Sequence, residues 1–263
     1  MRKLKIGIIG CGNMGEAIIK AVASRRTSVA SYDVDKKKLK SVSKKYKSKA
    51  TSSSADLVKG CDIIILAVKP QNIDTVLKEI RNDITPYKLL ISIAAGVKTS
   101  SIERKITKRV GVVRAMPNMP AIIQAGVSAV ARGRFATDKD LVVAEELFKN
   151  MGEVVEVEED FMDAVTAISG SGPAYFFYLA EVLIKMGRAL GLKDEVARKL
   201  AIETALGSAK VLKETKLNPE VLRAKVTSRG GTTEAAFKEF VKGGLEEILK
   251  KGIMKAFERA KCL

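Results

Sequence analysis

The sequence predicts an α/β domain built on a doubly wound parallel sheet, followed by an all-α domain. Short apolar runs alternate with helical stretches through residues 1–158, a pattern typical of a parallel sheet covered by helices. A glycine-rich turn joins the first apolar run to the first helix. From residue 159 to 263, helical periodicity continues without strand signals. We therefore expect two domains, 1–158 and 159–263, each of ordinary size.

The first apolar run, residues 3–9, leads directly into GCGNMG at residues 10–15 and a helix from Glu16 to Ser24. A strand, a GxGxxG turn and a helix in succession are typical of a dinucleotide-binding domain of Rossmann type. Gly10 is expected to make the tight turn, Gly12 to let the backbone approach a pyrophosphate, and Gly15 to allow close packing. The alternative is a purely structural glycine turn. It is disfavoured because a strand precedes the turn and a helix follows it.

The second strand, residues 28–32, ends beside Asp33, about twenty residues beyond the glycine turn. An acidic side chain there can accept hydrogen bonds from the adenosine ribose and repel a 2′-phosphate, which favours NAD over NADP. Lys36, Lys37 and Lys38 could neutralise that phosphate instead. Alternatively, Asp33 simply caps the next helix. The sequence leaves this choice open.

Two further strand ends are expected at the ligand-binding edge of the sheet. The apolar run 62–68 predicts a central strand that ends in Lys69-Pro70-Gln71. Ligands bind at the carboxyl edge of open α/β sheets, although Lys69 could also be an exposed residue beside a turn proline. The strand predicted at 110–115 leads into MPNMP at 116–120. Its prolines stiffen the backbone, so this segment could hold backbone groups against a flat ring.

The helical domain contains one helix that needs external cover and one polar loop. Residues 174–180, AYFFYLA, are apolar nearly all round, so we expect a partner subunit to cover them in a two-fold dimer. TSRGGTT at 227–233 places hydroxyls and a glycine pair directly before a helix, where they could converge on a carboxylate. An ordinary helix cap is the alternative, and it would need only Thr232 or Thr233.

Composition excludes several classes of chemistry. The 263 residues contain no histidine, which excludes Ser-His-Asp hydrolases, His-ligated metal sites and dehydrogenases that use histidine as proton carrier. Cys11, Cys61 and Cys262 have neither CxxC spacing nor an even count, which argues against a disulfide framework or a metal site.

The partners and the location follow from charge and hydropathy. The net charge is +17, but acidic residues are interspersed with the basic ones, so we expect no nucleic-acid partner. The uncharged stretch 164–180 contains glycines and a proline and is a poor membrane span. The N-terminal apolar run is broken by glycines and does not match a signal peptide. We expect a cytoplasmic protein with no membrane association.

Five motifs occur in order along the chain, and together they resemble one enzyme family. They are GCGNMG at 10–15, AVKPQ at 67–71, RAMPNMP at 114–120, SGSGPAYFF at 169–177 and TSRGGTT at 227–233. The set resembles the pyrroline-5-carboxylate reductases. The resemblance implies NADPH- or NADH-dependent reduction of 1-pyrroline-5-carboxylate to L-proline, the last step of proline biosynthesis. It also implies dimers with interlocked helical domains, a substrate loop contributed across the interface, and assembly into decamers of five dimers.

The resemblance assigns roles to individual residues. Ser228 and the backbone near Gly231 and Thr232 would hold the substrate carboxylate, and Thr233 would be the catalytic residue that hydrogen-bonds the ring nitrogen. The implied cofactor residues are Gly10, Cys11, Gly12, Asn13, Met14, Gly15, Asp33, Ser54, Ala67, Val68, Lys69, Pro70, Met116, Pro117 and Asn118.

Two residues depart from the family pattern. Arg229 stands where many members have proline, and Ser54 where some have an asparagine near the ribose. Another oxidoreductase similar to 6-phosphogluconate dehydrogenase would share the architecture. A β-hydroxyacid dehydrogenase of that kind should have a lysine shortly after the glycine segment, where AYFF stands at 174–177. From a different class, a non-catalytic dinucleotide-binding regulatory protein would bind cofactor without turnover.

Overall fold

A computed structural model describes residues 4–23 and 27–262. Lys3 and Ser24, expected at the ends of the first strand and helix, lie outside the described residues. Within these residues, eight strands form one sheet. The strands are β1 (Leu4–Ile9), β2 (Thr27–Tyr32), β3 (Lys49–Ala50), β4 (Ile63–Leu66), β5 (Leu89–Ser92), β6 (Gly111–Pro117), β7 (Gly126–Arg132) and β8 (Gly152–Glu156).

The strand order is β3-β2-β1-β4-β5-β6-β7-β8, which confirms the doubly wound sheet. The chain moves outward from β1 in one direction, then returns to place β4 on the other side of β1. This reversal creates a crevice at the carboxyl ends of β1 and β4, where ligands bind in such folds.

The sheet is not entirely parallel, because β7 runs antiparallel to β6, whereas all other neighbouring pairs in the described sheet are parallel. Only residues 118–125 connect these two strands. A parallel pair needs a crossover of about a dozen residues or more, whereas an antiparallel pair can be joined by a short turn. The predicted doubly wound sheet is therefore mostly parallel, with β7 as the exception for that reason.

Six helices cover the sheet: α1 (Asn13–Val22), α2 (Lys36–Tyr46), α3 (Ser54–Gly60), α4 (Ile73–Ile80), α5 (Thr99–Ile106) and α6 (Asp138–Lys149). Alternate residues of β4 contribute to two separate apolar cores, Ile63 and Ile65 to one and Ile64 and Leu66 to the other. All four are buried, so β4 is the central strand that its continuous apolar sequence predicts.

The chain leaves the sheet through an irregular helical segment. Residues Glu159–Phe161 form a 3-10 turn, α7 spans Met162–Val165, and Thr166–Gly170 is π-helical. In the π turn, the Ser171 N–H donates to the Thr166 carbonyl at 2.8 Å. The helical periodicity of residues 161–190 is thus divided in the structure by this π turn. The hydroxyls of Thr166 and Ser169 donate to carbonyls four residues earlier and compete with regular helical bonding.

A buried arginine fixes this segment to the sheet. Arg114 of β6 is 2% exposed, and its guanidinium lies 3.7 Å from the Glu159 carboxylate and 3.5 Å from that of Asp163. Glu159 also accepts hydrogen bonds from the N–H and hydroxyl of Thr99, at 2.7 and 2.6 Å. Residues 159–163 are thus held by charge and hydrogen bonds to β6 and α5.

The described residues form two compact units. One contains the sheet, its helices and the segment to Ser171, with the residues from Ala256 onward, and the other contains 172–255. We keep 1–158 and 159–263 as the proposed domain division, which separates the last strand from the first helical turn. The remaining helices are α8 (Gly172–Ala189), α9 (Asp194–Thr215), α10 (Pro219–Lys225), α11 (Thr232–Lys242) and α12 (Leu245–Lys261).

The helical unit exposes much of its apolar surface. Helices α8 and α9 pack closely where a Cβ added to Gly187 would lie 2.9 Å from the Ala197 Cβ. Elsewhere on these helices large apolar side chains remain exposed, and Phe176 reaches 72%. The others include Phe177, Tyr178, Leu179, Leu183, Met186, Leu200, Ile202 and Leu206. An apolar surface of this extent requires a covering partner.

One described stretch, Glu159–Ala189, is long and apolar enough by length and composition to cross a membrane, and 11% of its most apolar window is buried. It includes residues 164–180. Length and composition do not distinguish a spanning helix from an interface helix described without its partner.

We expect Arg114→Met to destabilise the protein by about 2 to 4 kcal/mol, because it leaves the Glu159 and Asp163 carboxylates without their cation in a largely buried place. Urea unfolding, followed by circular dichroism, measures the change. Arg104→Met is the matched control, because the exposed Arg104 contacts only the nearby Ser101 hydroxyl in the described structure. Equal stability of the two variants would contradict the anchoring role of Arg114.

Candidate active site

The glycine turn, the start of α1 and the end of β4 meet without room for side chains. Gly10 has a φ of +106°, and a Cβ on it would lie 2.4 Å from the Ala67 carbonyl oxygen. A Cβ on Gly15 would lie 2.0 Å from the Gly10 carbonyl oxygen and 3.4 Å from the Ala67 Cβ. The Gly10 N–H donates to the Tyr32 carbonyl at 2.8 Å. The turn is therefore packed against the ends of both β2 and β4.

Gly12 differs from the other two glycines, because no described heavy atom lies within 4 Å of the position of its Cβ. It is the N-cap residue of α1, which begins at Asn13, three residues before the predicted start. The first amides of a helix and its dipole favour an anion. A side chain at residue 12 would fill this open space, and a bound pyrophosphate needs the same space. The residues present thus fit a dinucleotide.

Cys11 contributes its backbone to this turn. Its N–H donates to Asp33 Oδ2 at 2.6 Å, and its thiol is buried. Burial, with a smaller effect of the Asp33 carboxylate, raises the pKa of the Cys11 thiol to about 12. The thiol is therefore neutral at physiological pH and adds no negative charge beside the phosphate position.

Asp33 lies between the glycine turn and the start of α2. In addition to the bond from Cys11, its Oδ1 accepts the Asp35 N–H at 2.8 Å. The N-cap of α2 is Asp35, whose side chain accepts from the amides of Lys37 and Lys38. The alternative that Asp33 caps this helix is wrong, because the chain makes one more turn before the helix begins.

The end of β4 lies next to the glycine turn. The Ala67 N–H donates to the Ile9 carbonyl at 2.8 Å. Ala67, Val68 and Pro70 are partly exposed, and Lys69 is exposed at the N-cap of the 3-10 turn Pro70–Asn72. The structure thus brings these four predicted cofactor residues to the crevice between β1 and β4.

The remaining predicted cofactor residues have mixed environments. Ser54 is buried at the start of α3, and its hydroxyl donates to the Glu79 carboxylate of α4. This hydrogen bond joins the two helices. Pro117 ends β6 and is buried, and the Asn118 side chain accepts the Val127 N–H at 3.0 Å. Met116 is partly exposed, and a Cβ added to Gly170 would lie 2.7 Å from its Cε.

The loop between α10 and α11 forms a second polar site, in the helical unit. Gly230 adopts a φ of +73°, and its N–H donates to the Glu234 carboxylate at 2.8 Å. The Gly231 N–H donates to the Ser228 carbonyl at 3.0 Å. The Ser228 Oγ lies 2.5 Å from the position that a Cβ on Gly231 would occupy. The serine hydroxyl thus lies at the N-terminus of α11.

Gly231 is the N-cap of α11, and as a glycine it offers no capping side chain. Thr232 and Thr233 are the first two helical residues, so the alternative that one of them is the cap is wrong. The Gly231 amide is already engaged. The amides of Thr232 and Thr233, with the hydroxyls of Ser228 and Thr233, are the groups at this helix start that suit a carboxylate and a ring nitrogen. Arg229 is exposed.

Sequence reasoning missed two features that shape these sites. Glu234, three residues after the Gly231 cap, accepts the N–H of Gly230, one residue before the cap and therefore one residue outside the capping-box pattern. The second feature is the buried ion pair of Arg114, for which a charge within an apolar strand is the available sequence signal. In residues 4–23 and 27–262, no group of three or more His, Cys, Asp or Glu is placed to hold a metal ion.

Comparison with known families covers both parts of the chain. Residues 159–263 match the family model described as pyrroline-5-carboxylate reductase dimerisation. Residues 5–96 match the model described as NADP oxidoreductase, coenzyme F420-dependent.

Individual relatives match over the full length. The chain is 39% identical to the pyrroline-5-carboxylate reductase of Methanosarcina acetivorans, with 100% of this chain and 99% of the relative covered. The Coxiella burnetii enzyme structure superimposes with a TM-score of 0.90 at 34% identity, covering 99% of this chain and 98% of that one. The Plasmodium falciparum enzyme with NADP bound gives 0.90 at 29% identity, covering 100% and 98%. The chain belongs to the pyrroline-5-carboxylate reductase family.

Proposed function

We propose that this protein reduces 1-pyrroline-5-carboxylate to L-proline with NADPH or NADH as the reductant. The observation that carries the proposal is the loop before α11, where a glycine cap leaves the first helical amides available and the Ser228 hydroxyl lies beside them. This is a site for a small carboxylate. It occurs in a chain that also holds a dinucleotide-binding turn and belongs to this family along its whole length.

The first domain binds the cofactor in this proposal. Residues 10–15 and the N-terminus of α1 hold the pyrophosphate, and Asp33 accepts hydrogen bonds from the adenosine ribose. The segments 67–70 and 116–118 border the nicotinamide. When bound, the reduced nicotinamide supplies the hydride. Ser54 is kept among the proposed cofactor residues only for its position near the adenosine end, since its hydroxyl is engaged with Glu79.

The loop positions the substrate. Ser228 and the Thr232 amide hold its carboxylate, and the glycine at 231 leaves space for it. The Thr233 hydroxyl hydrogen-bonds the ring nitrogen and relays a proton. A cyclic imine can be protonated before reduction, so the absence of histidine is no obstacle. Placing the imine carbon beside the reductant supplies most of the rate acceleration.

The chain dimerises through its helical domain, as the match to the dimerisation model over 159–263 indicates. We propose that the exposed apolar surface of α8 and α9 is buried there, and that the loop 227–233 serves the cofactor of the partner subunit. Assembly of five dimers into a decamer is the finer proposal. We also propose a cytoplasmic protein without membrane or nucleic-acid partners, in which the stretch Glu159–Ala189 serves dimerisation.

The proposed reaction is tested by following NADH and NADPH oxidation with 1-pyrroline-5-carboxylate and the purified full-length protein. We expect turnover that depends on both reactants and yields proline. Binding of either cofactor without turnover would instead support the non-catalytic regulatory protein and contradict the proposal.

Thr233→Val tests the catalytic role. We expect kcat/KM for the imine to fall roughly ten- to a hundredfold, because the variant removes a hydrogen bond to a charged nitrogen. Steady-state kinetics at saturating cofactor measure the effect, which should lie mainly in kcat.

Two comparison variants accompany this measurement. Thr215→Val makes the same change on an exposed threonine of α9, whose hydroxyl donates to the Val211 carbonyl and accepts the Leu217 N–H, and it should leave turnover unchanged. Ser228→Ala should raise KM for the imine more than it lowers kcat, because it weakens carboxylate binding. Unchanged kcat and KM in Thr233→Val would remove Thr233 from the mechanism.

A further inference from the structure

We propose that this protein prefers NADH to NADPH, and that the Asp33 carboxylate sets the preference. This inference rests on the proposed function for the reaction, but it concerns only how the chain reads the adenosine end of the cofactor. The sequence leaves the choice between NADH and NADPH open, because three lysines follow the aspartate closely. The contacts around Asp33 favour NADH.

The Asp33 carboxylate is fixed in place beside the glycine turn. The Cys11 N–H holds Oδ2 at 2.6 Å, and the Asp35 N–H holds Oδ1 at 2.8 Å. Rotation of the side chain away from an incoming phosphate would break both bonds. Each carboxylate oxygen can accept a second hydrogen bond. The group is thus prepared to accept from ribose hydroxyls and to repel a second anion.

The nearby lysines are oriented toward other partners. The Lys36 ammonium lies 4.8 Å from the centroid of the Tyr32 ring, in a cation–π contact. The Lys38 ammonium lies 3.8 Å from the Asp35 carboxylate. In the structure these two ammonium groups contact the Tyr32 ring and the Asp35 carboxylate, and the exposed Lys37 is the remaining lysine of the three.

A second carboxylate adds to the negative charge at this edge. Asp35 caps α2, and the backbone N–H groups of Lys38 and Lys37 lower the pKa of its carboxyl group. Asp35 is thus ionised at neutral pH. A 2′-phosphate carries almost two negative charges at this pH, so it would be placed against a fixed anion with a second anion two residues away. The 2′-hydroxyl of NADH meets an acceptor instead.

Equilibrium binding tests the preference without the reaction. Fluorescence titration of NADH and NADPH into the full-length protein, in the absence of imine, gives the ratio of the two dissociation constants. We expect NADH to bind at least about tenfold more tightly. In Asp33→Ser, the ratio should fall below about threefold or reverse. Asp35→Asn retains a good helix cap but removes the second negative charge and the carboxylate beside Lys38, so its ratio should fall between those of the wild-type protein and Asp33→Ser.

Asp33→Asn guards against misfolding, because its amide oxygen can still accept the Cys11 N–H. It should fold, as circular dichroism would verify, and show an intermediate ratio. Equal or tighter binding of NADPH by the wild-type protein, or an unchanged ratio in both Asp33 variants, would overturn the proposal. A failure of the proposed reaction would appear separately, as cofactor binding without imine-dependent oxidation. In an active enzyme, the Asp33 variants should change KM for NADPH and leave kcat nearly unchanged.

Discussion

Close backbone packing at the first turn positions the cofactor side of this protein. A side chain at Gly10 or Gly15 would overlap a carbonyl oxygen, since the ideal Cβ positions lie only 2.4 and 2.0 Å from Ala67 and Gly10 oxygens. With those two glycines, β1, α1 and the end of β4 meet at van der Waals distance. The amides at the start of α1 then face an open space at Gly12, and the ends of β2 and β4 lie beside them. Replacing either glycine would move all of these groups at once.

In the helical unit, glycines also shape the turn before a helix, here α11. There, Gly231 occupies the cap position, Gly230 makes the left-handed turn before it, and Glu234 folds back to hold the turn. No capping side chain in the described structure occupies the first amides of α11, which lie beside the hydroxyls of Ser228 and Thr233. Both candidate sites therefore use glycine to leave helix amides available for an anion, a pyrophosphate in one unit and a small carboxylate in the other.

Local sequence patterns predicted much of this arrangement. The run of isoleucines in β4 identified the central strand because burial on both faces requires a continuous apolar sequence. The glycine spacing identified the turn because each glycine has a separate steric reason, and the structure confirms the geometry expected of Gly10, Gly12 and Gly15. The family resemblance, carried by five ordered motifs, is also confirmed.

Four features of the structure were not predicted from the sequence, and the last of them depends on distant contacts. The reversal of β7 follows from the length of a connection, and the helix start at Asp35 from one extra turn of chain after Asp33. The π turn at Thr166–Gly170 depends on hydroxyl bonding within a helix whose overall pattern is apolar. Arg114 is explained only by the carboxylates of Glu159 and Asp163, which lie more than forty residues away in the sequence.

The central claim is that this chain delivers a hydride to the carbon of a cyclic imine. The most direct measurement uses reduced cofactor carrying deuterium at C4 of the nicotinamide, in parallel for NADH and NADPH, with unlabelled 1-pyrroline-5-carboxylate. Mass spectrometry and NMR of the product should find L-proline with a single deuterium at C5, the former imine carbon. Unlabelled proline, or oxidation of the cofactor without proline formation, would contradict the account.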